Sequence, residues 1–182
     1  MPAQVHTEIQ GPVLLASRIY RDARGHFREI WNRARRPEVG VPSEFAQDNV
    51  SVSSRGVLRG LHYQHPSAQG KLLTVLLGEI YDVGVDLRMG SPTFGRSVGV
   101  WLRGEDDDQF YLPEGFAHGF VVTSDSAIVH YKCTTPYDPA GESSVRWDDP
   151  DLGIEWPIRD PILSAKDLAA PRLRDVPRDR LF

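Results

Sequence analysis

With 182 residues, 40% of them apolar and 25% charged, the chain has the size and balance of one soluble domain, residues 1–182, with volume for a real core. A net charge of −4 at pH 7 excludes general nucleic-acid binding, which draws on an excess of Lys and Arg, but not one anionic small molecule met by local arginines. Cys133 is the only cysteine, so no internal disulfide can form and a reducing cytoplasm is the expected setting; neither a membrane span nor a signal segment is expected.

The 16 Gly and 14 Pro recur throughout and punctuate short apolar runs, the pattern of an all-β chain. Residues 12–20 and 26–32 read as strands around a turn at 21–25, and 33–46 as a helix or a loop. Residues 72–77 are a continuous apolar run, and Gly78-Glu79 supplies a turn. Residues 80–87 then alternate: Tyr81, Val83, Val85 and Leu87 lie on one face, Asp82, Gly84 and Asp86 on the other. Period two marks a strand, so 72–87 is expected to form a hairpin with one carboxylate-lined face. Residues 97–103 and 109–112 follow as strands, separated by the solvated acidic turn Glu105-Asp106-Asp107-Asp108. Residues 120–122 and 127–133 flank a further turn, and in the second arm Ala127, Val129, Tyr131 and Cys133 share a face. From about residue 150 the chain turns polar and proline-rich. Ser164-Ala165-Lys166-Asp167 resembles a capping box opening a short helix. Many short strands with frequent turns predict a β-sandwich or jelly-roll barrel.

Two runs carry the chemistry. Gly56-Val57-Leu58-Arg59-Gly60-Leu61-His62-Tyr63-Gln64, followed by Gln69-Gly70-Lys71, sets a candidate base, His62, between two cations. Pro113-Glu114-Gly115-Phe116-Ala117-His118-Gly119-Phe120 lies further along. A metal site in a small barrel needs several His and a carboxylate converging. Two positions after His62 stands Gln64, His118 has no neighbouring His, and His65 precedes Pro66 in a loop, so no metal is expected. The cations Arg59 and Lys71 are expected to lower the His62 pKa and leave a neutral imidazole able to accept a proton. A carboxylate must then orient the ring, and spacing leaves Asp82, Asp86 and Asp167 open as candidates. The plain reading of Asp167 is a helix cap. Tyr131 and Tyr137 are either ordinary aromatics or, facing a pocket, a proton donor and a stacking surface. Arg24, two residues after Asp22, is a solvated charge unless it joins other arginines in clamping a diphosphate. Arg59 and His62 are three apart, so a regular strand would put them on opposite faces. A bulge at Gly60 resolves this, as would a contact supplied by a partner chain.

These residues resemble the dTDP-4-dehydrorhamnose 3,5-epimerase family from about Val13 to Pro171. The matching segments are 22–29, Gln47-Asp48-Asn49, 56–64, 69–72, 82–88, 90–95, 113–120, Tyr131-Lys132-Cys133-Thr134, Asp149-Pro150 and 164–167, and their order and spacing together are specific. The resemblance implies a cupin-type jelly-roll β-barrel with a few short peripheral helices, working without metal or other cofactor and usually as a homodimer. It implies His62 as base, Asp167 as its paired carboxylate, Tyr131 as the acid on the opposite face of the sugar, and Lys71 as the cation that stabilises the enolate. Arg24, Phe27, Glu29, Gln47, Asn49, Arg59, His118, Glu142 and Lys166 match positions that contact the nucleotide sugar. Tyr137 matches the position that stacks on thymine, and at Asp48 the backbone matters more than the side chain.

By the same resemblance the reaction converts dTDP-4-dehydro-6-deoxy-D-glucose to dTDP-4-dehydro-L-rhamnose. The competing readings are a mono-epimerase acting at C3 or C5 only, a non-catalytic nucleotide-sugar-binding barrel, and a metal-dependent cupin. Exposed barrel edges give a physical reason to pair two chains. The segment from about 150 to 182 is expected to pack on the barrel or on a partner, and its last residues, 175–182, to be either disordered or docked on the partner.

Overall fold

The computed structural model describes residues 4–6 (backbone), 9–16, 19–34, 40–106 and 108–182. Apolar runs bounded by turn residues give short strands: β1 (Gln4–His6), β2 (Val13–Ala16), β3 (Ile19–Asp22), β4 (Gly25–Arg28), β5 (Gln47–Ser54), β6 (Leu58–Gln64), β7 (Lys71–Leu77), β8 (Glu79–Asp86), β9 (Ser97–Arg103), β10 (Asp108–Leu112), β11 (Phe116–Val122), β12 (Ser126–Cys133) and β13 (Glu142–Ser144). A short helix, α1 (Ala165–Leu168), and 3-10 turns at Pro150–Leu152, Leu173–Asp175 and Arg178–Arg180 punctuate the C-terminal segment. The strands form a six-stranded sheet, β1-β2-β10-β7-β12-β5, a five-stranded sheet, β13-β6-β11-β8-β9, and a separate two-stranded arm, β3-β4. This is the all-β jelly roll expected from the sequence, with its short helices at the periphery.

Several local expectations are corrected. Residues 72–87 are not a hairpin: β7 pairs with β10 and β12 in one sheet, β8 with β11 and β9 in the other. Gly78, at φ +79°, takes the chain across; a Cβ there would stand 2.0 Å from the Ser126 carbonyl oxygen. Residues 12–20 split into β2, which joins the large sheet, and β3, which joins the arm. The second expected strand, 26–32, ends at Arg28. Of 33–46, residues 35–39 lie outside the described residues and the rest carry no helix.

The apolar residues sort into three layers. Between the sheets pack Leu73, Val75, Phe110 and Val129 from one side and Ile80, Leu102, Phe116 and Phe120 from the other. Outside the large sheet, Val41 with Trp31 and Phe45 covers Val13, Leu15, Leu72 and Tyr111. Outside the five-stranded sheet, Leu152, Leu173, Val176 and Leu181 cover Leu61, Val83, Val85, Leu87 and Ala117. The C-terminal residues are therefore docked on their own barrel: Phe182 N–H donates to the Leu87 carbonyl at 3.2 Å, and Met89 N–H to the Phe182 carbonyl at 2.7 Å. The apolar face of β8 thus looks outward, under this segment, and Asp82 looks inward. Asp86, also buried, accepts from the Arg88 guanidinium, Ser91 and Thr93. Burial alone would raise its pKa, but these bonds hold the carboxyl far below the usual range.

Between β6 and β11 the register slips by one residue, pairing His118 with His62 but Phe120 with Arg59. The slip is the bulge expected at Gly60, and it turns Arg59 and His62 to the same cavity. Gly60 has φ +136°, and a Cβ there would lie 2.4 Å from the Gly119 Cα and 2.8 Å from the His118 carbonyl oxygen. Gly60→Ala should cost about 2–4 kcal/mol, read as a lower urea midpoint at unchanged m-value. A shift below about 0.5 kcal/mol, the range of ordinary surface substitutions, would mean that the bulge yields freely.

Candidate active site

The bulge at Gly60 presents His62 from the five-stranded sheet, and the C-terminal segment brings a carboxylate to it. Ser164 caps α1, its Oγ accepting from the Asp167 N–H at 3.1 Å and donating to Asp167 Oδ2 at 2.8 Å. That leaves Asp167 Oδ1 to meet His62 Nε2 at 2.5 Å. Asp167 is buried while His62 stays partly open to the cavity. Burial resists ionisation of Asp167, but the bonds from His62 and Ser164 outweigh it and its pKa falls below the ordinary carboxyl value. The carboxylate that completes the cap with Ser164 and the partner of His62 are one residue, Asp167. The other two carboxylate candidates are engaged elsewhere: Asp82 meets His118 Nε2 at 3.0 Å, and Asp86 is committed to Arg88.

The opposite wall comes from the six-stranded sheet. Lys71 opens β7 and Cys133 closes β12 beside it, with Tyr131 two residues earlier on the same face. Burial pushes the Lys71 pKa down, opposed by the surrounding groups Cys133, Asp82 and Glu142. Burial also raises the Tyr131 pKa, with Arg59 acting against it, so the phenol carries its proton at neutral pH.

His62, Lys71, Tyr131 and Glu142 line both lobes of one cleft. A lobe of about 260 Å³ adds Gln47, Asn49, Gln69 and Tyr137. A lobe of about 420 Å³ adds Arg59, His118, Phe120, Lys166 and Asp167. These volumes suit a small-molecule ligand. Polar groups fix the rim. Gln47 Nε2 donates to Asn49 Oδ1 at 2.9 Å, and Gln47 Oε1 accepts from the Tyr137 N–H at 2.8 Å. The Tyr137 hydroxyl donates to Glu142 Oε2 at 2.7 Å, and Lys166 pairs with the same oxygen. Arg59 Nε donates to Ser53 Oγ at 3.1 Å.

Four residues assigned to substrate contact by resemblance do not line this cleft. Arg24 and Phe27 sit on the exposed β3–β4 arm, where Arg24 pairs with Asp22. Arg28 holds that arm to the Asp106 and Val75 carbonyls, toward the far end of β7 from Lys71. Glu29 accepts from Asn32 at 3.0 Å, and Asp48 faces outward to Lys132 and His130. The sequence reading also passed over Gln69 and Phe120 in the walls, and over Gln64, whose Oε1 accepts from the Asp138 N–H at 3.0 Å and anchors the Tyr137 loop. For the cleft wall as a whole, β5 carried a signal: a strand that turns the partly buried Gln47 and Asn49 inward and exposes Val50 and Val52 is lining something other than a core. Among the described residues, no group of three His, Cys, Asp or Glu side chains is placed to hold a metal ion, and no helix is long and apolar enough to cross a membrane.

A carboxylate-backed imidazole on one wall, with a phenol and a lysine amine on the other, can take a proton from one face of a ligand and return it to the other, which is the work of an epimerase. The comparisons agree. A family model described as dTDP-4-dehydrorhamnose 3,5-epimerase matches residues 6–175. The enzyme of that name from Pseudomonas aeruginosa is 52% identical over 166 residues, 90% of this chain and 92% of that one. That from Methanothermobacter thermautotrophicus is 48% identical over 176 residues, 95% of each chain. The crystal structure of the dTDP-6-deoxy-D-glucose-3,5-epimerase of Legionella pneumophila, in complex with dTDP-4-keto-L-rhamnose, has a TM-score of 0.96 at 47% identity and covers 100% of this chain and 97% of that one. The chain belongs to the dTDP-4-dehydrorhamnose 3,5-epimerase family.

Proposed function

We propose that this chain converts dTDP-4-dehydro-6-deoxy-D-glucose to dTDP-4-dehydro-L-rhamnose by inverting C3 and C5. The observation that carries this reading is the His62–Asp167 pair at 2.5 Å facing a cleft whose other wall holds Tyr131 and Lys71. The C4 ketone acidifies the hydrogens on both neighbouring carbons. His62 takes one of these protons, the C–H electron pair moves into an enolate, and negative charge gathers on the C4 oxygen. Lys71 supplies a fixed positive charge there, an interaction that strengthens in the transition state and lowers the barrier. Tyr131 then protonates the carbon from the other face, and both groups return to their starting states by exchange with water. A shift of the sugar lets the same two groups serve both centres.

Arg59 and Lys166 provide cations for the diphosphate, and the half-exposed Tyr137 ring offers a stacking face for the base. We take residues 1–182 as one domain acting in the cytoplasm, a setting that suits the lone buried thiol of Cys133. We also propose a homodimer. Its support is the β3–β4 arm, which exposes Tyr20 and Phe27 and holds Arg24 and Phe27 outside the cleft of their own chain, as a residue serving a neighbour's cleft would be held.

The test is proton NMR of the substrate with enzyme in D₂O, following C3 and C5 separately and trapping the product with a reductase. Loss of both signals with an L-rhamnose product is expected. Loss of one alone would mean a mono-epimerase, and loss of neither despite binding would overturn the reading.

A further inference from the structure

Behind Lys71 lies a charge that the reaction scheme does not use. Asp82, on β8, has no solvent exposure. Its Oδ2 meets His118 Nε2 at 3.0 Å, while its Oδ1 is buried with no hydrogen-bond partner among the described residues. A buried carboxylate bonded through one oxygen is costly to keep. An apolar side chain would fill the same place between Phe120 and Ile80 without that cost, so packing does not explain the residue.

The neighbouring charges narrow what Asp82 does. Lys71 makes no ion pair among the described residues, and the acidic groups that bear on it are Cys133 on β12, Asp82 on β8 and Glu142 on β13. Burial raises the Cys133 pKa, so it is a neutral thiol at pH 7 and supplies no charge. Glu142 is already bonded to Lys166 and Tyr137. Asp82, bonded to the His118 ring alone, is the one with no lysine or arginine paired to it among the described residues. Burial raises its own pKa against the pull of His118 and Lys71, and burial lowers that of His118, which is held neutral. With His118 neutral and its Nε2–H given to Asp82, the cation left among the described residues to balance the carboxylate is Lys71.

We infer that Asp82 is a positioning residue for Lys71: its buried carboxylate is the counter-charge that keeps the Lys71 side chain an ammonium at the cavity wall, while its Oδ2 fixes the His118 ring. Each group is the condition of the other's charge. The inference rests on the role of Lys71 proposed above, and it adds a residue that touches neither substrate nor reacting atoms.

Asp82→Asn keeps the shape and a hydrogen bond to His118 but removes the charge. Expected are a kcat about 10²–10³-fold lower at pH 7, the cost typical of losing one such stabilising donor, and a KM within about threefold. The alkaline limb of the kcat–pH profile should move to lower pH, because Lys71 now loses its proton sooner; a purely structural role would lower the whole profile and leave the limb in place. Adding Asp82→Asn to Lys71→Met should cost nothing further. A variant with wild-type kcat and an unmoved limb, or full additivity in the double variant, would overturn the inference. Should Asp82→Asn fail to fold, infrared spectroscopy of Lys71→Met decides instead: a protonated-carboxyl band absent from the wild type at neutral pH is expected, and its absence counts against the pairing. Wild-type protein that does not epimerise the sugar nucleotide would sink the functional reading but leave the infrared result intact.

Discussion

In D₂O, the His62→Ala protein is expected to leave both the C3 and the C5 hydrogens of dTDP-4-dehydro-6-deoxy-D-glucose in place, on a timescale over which the wild type should exchange both. A positioned general base contributes about 10²–10⁴ in rate, and no second imidazole stands ready: His118, the other histidine lining the cleft, has its Nε2 committed to Asp82 and is buried. Asp167 does not take over, because a carboxylate is ordinarily a weaker base than an imidazole and its other oxygen stays bonded to Ser164. Exchange at both carbons at the wild-type rate would remove His62 from the base role and send the search to Lys71.

Tyr131→Phe separates the two halves of the reaction. The ring still packs against the core between the sheets, so the cleft keeps its shape, and His62 still withdraws protons. Solvent deuterium then returns from the side it left. Exchange should continue within about tenfold of wild type, while inverted product falls by about 10²–10⁴, the loss expected for one proton-transfer group. Retention of configuration in deuterated substrate is the signature. A variant that makes L-rhamnose product normally would assign the acid role elsewhere.

Much of the site was legible because it is written locally. The Ser164–Asp167 spacing announces a helix cap, and Gly60 between Arg59 and His62 announces a bulge; both follow from side-chain reach and backbone freedom within a few residues. The connections were not legible. Gly78-Glu79 reads as a hairpin turn, yet it carries the chain between sheets, because strand pairing is decided by residues far off in sequence such as Gln109 and Tyr131. The alternation in β8 was read correctly, but its apolar face was the natural choice for the interior. The C-terminal segment, by covering Val83, Val85 and Leu87 from outside, leaves Asp82 on the inward face, between the sheets. β5 was not read as a strand, although the resemblance picked out Gln47, Asp48 and Asn49 at its start, and for a related reason: its inward side is polar and its apolar side exposed. The choice of Asp167 over Asp82 and Asp86 needed the resemblance, since three aspartates at unrelated spacings look alike until the chain has closed around them.

That closure ties the dyad to the docking of the C-terminal segment. His62 and Asp167 are 105 positions apart, and the carboxylate is carried by a segment that follows the last strand in the chain and packs over the five-stranded sheet. A growing chain halted near Pro150 would hold every strand, the imidazole and the phenol, yet lack the group that makes the imidazole a strong base. The docking of the last segment is therefore what completes the dyad, and catalytic activity reports on that docking more directly than any measure of strand content.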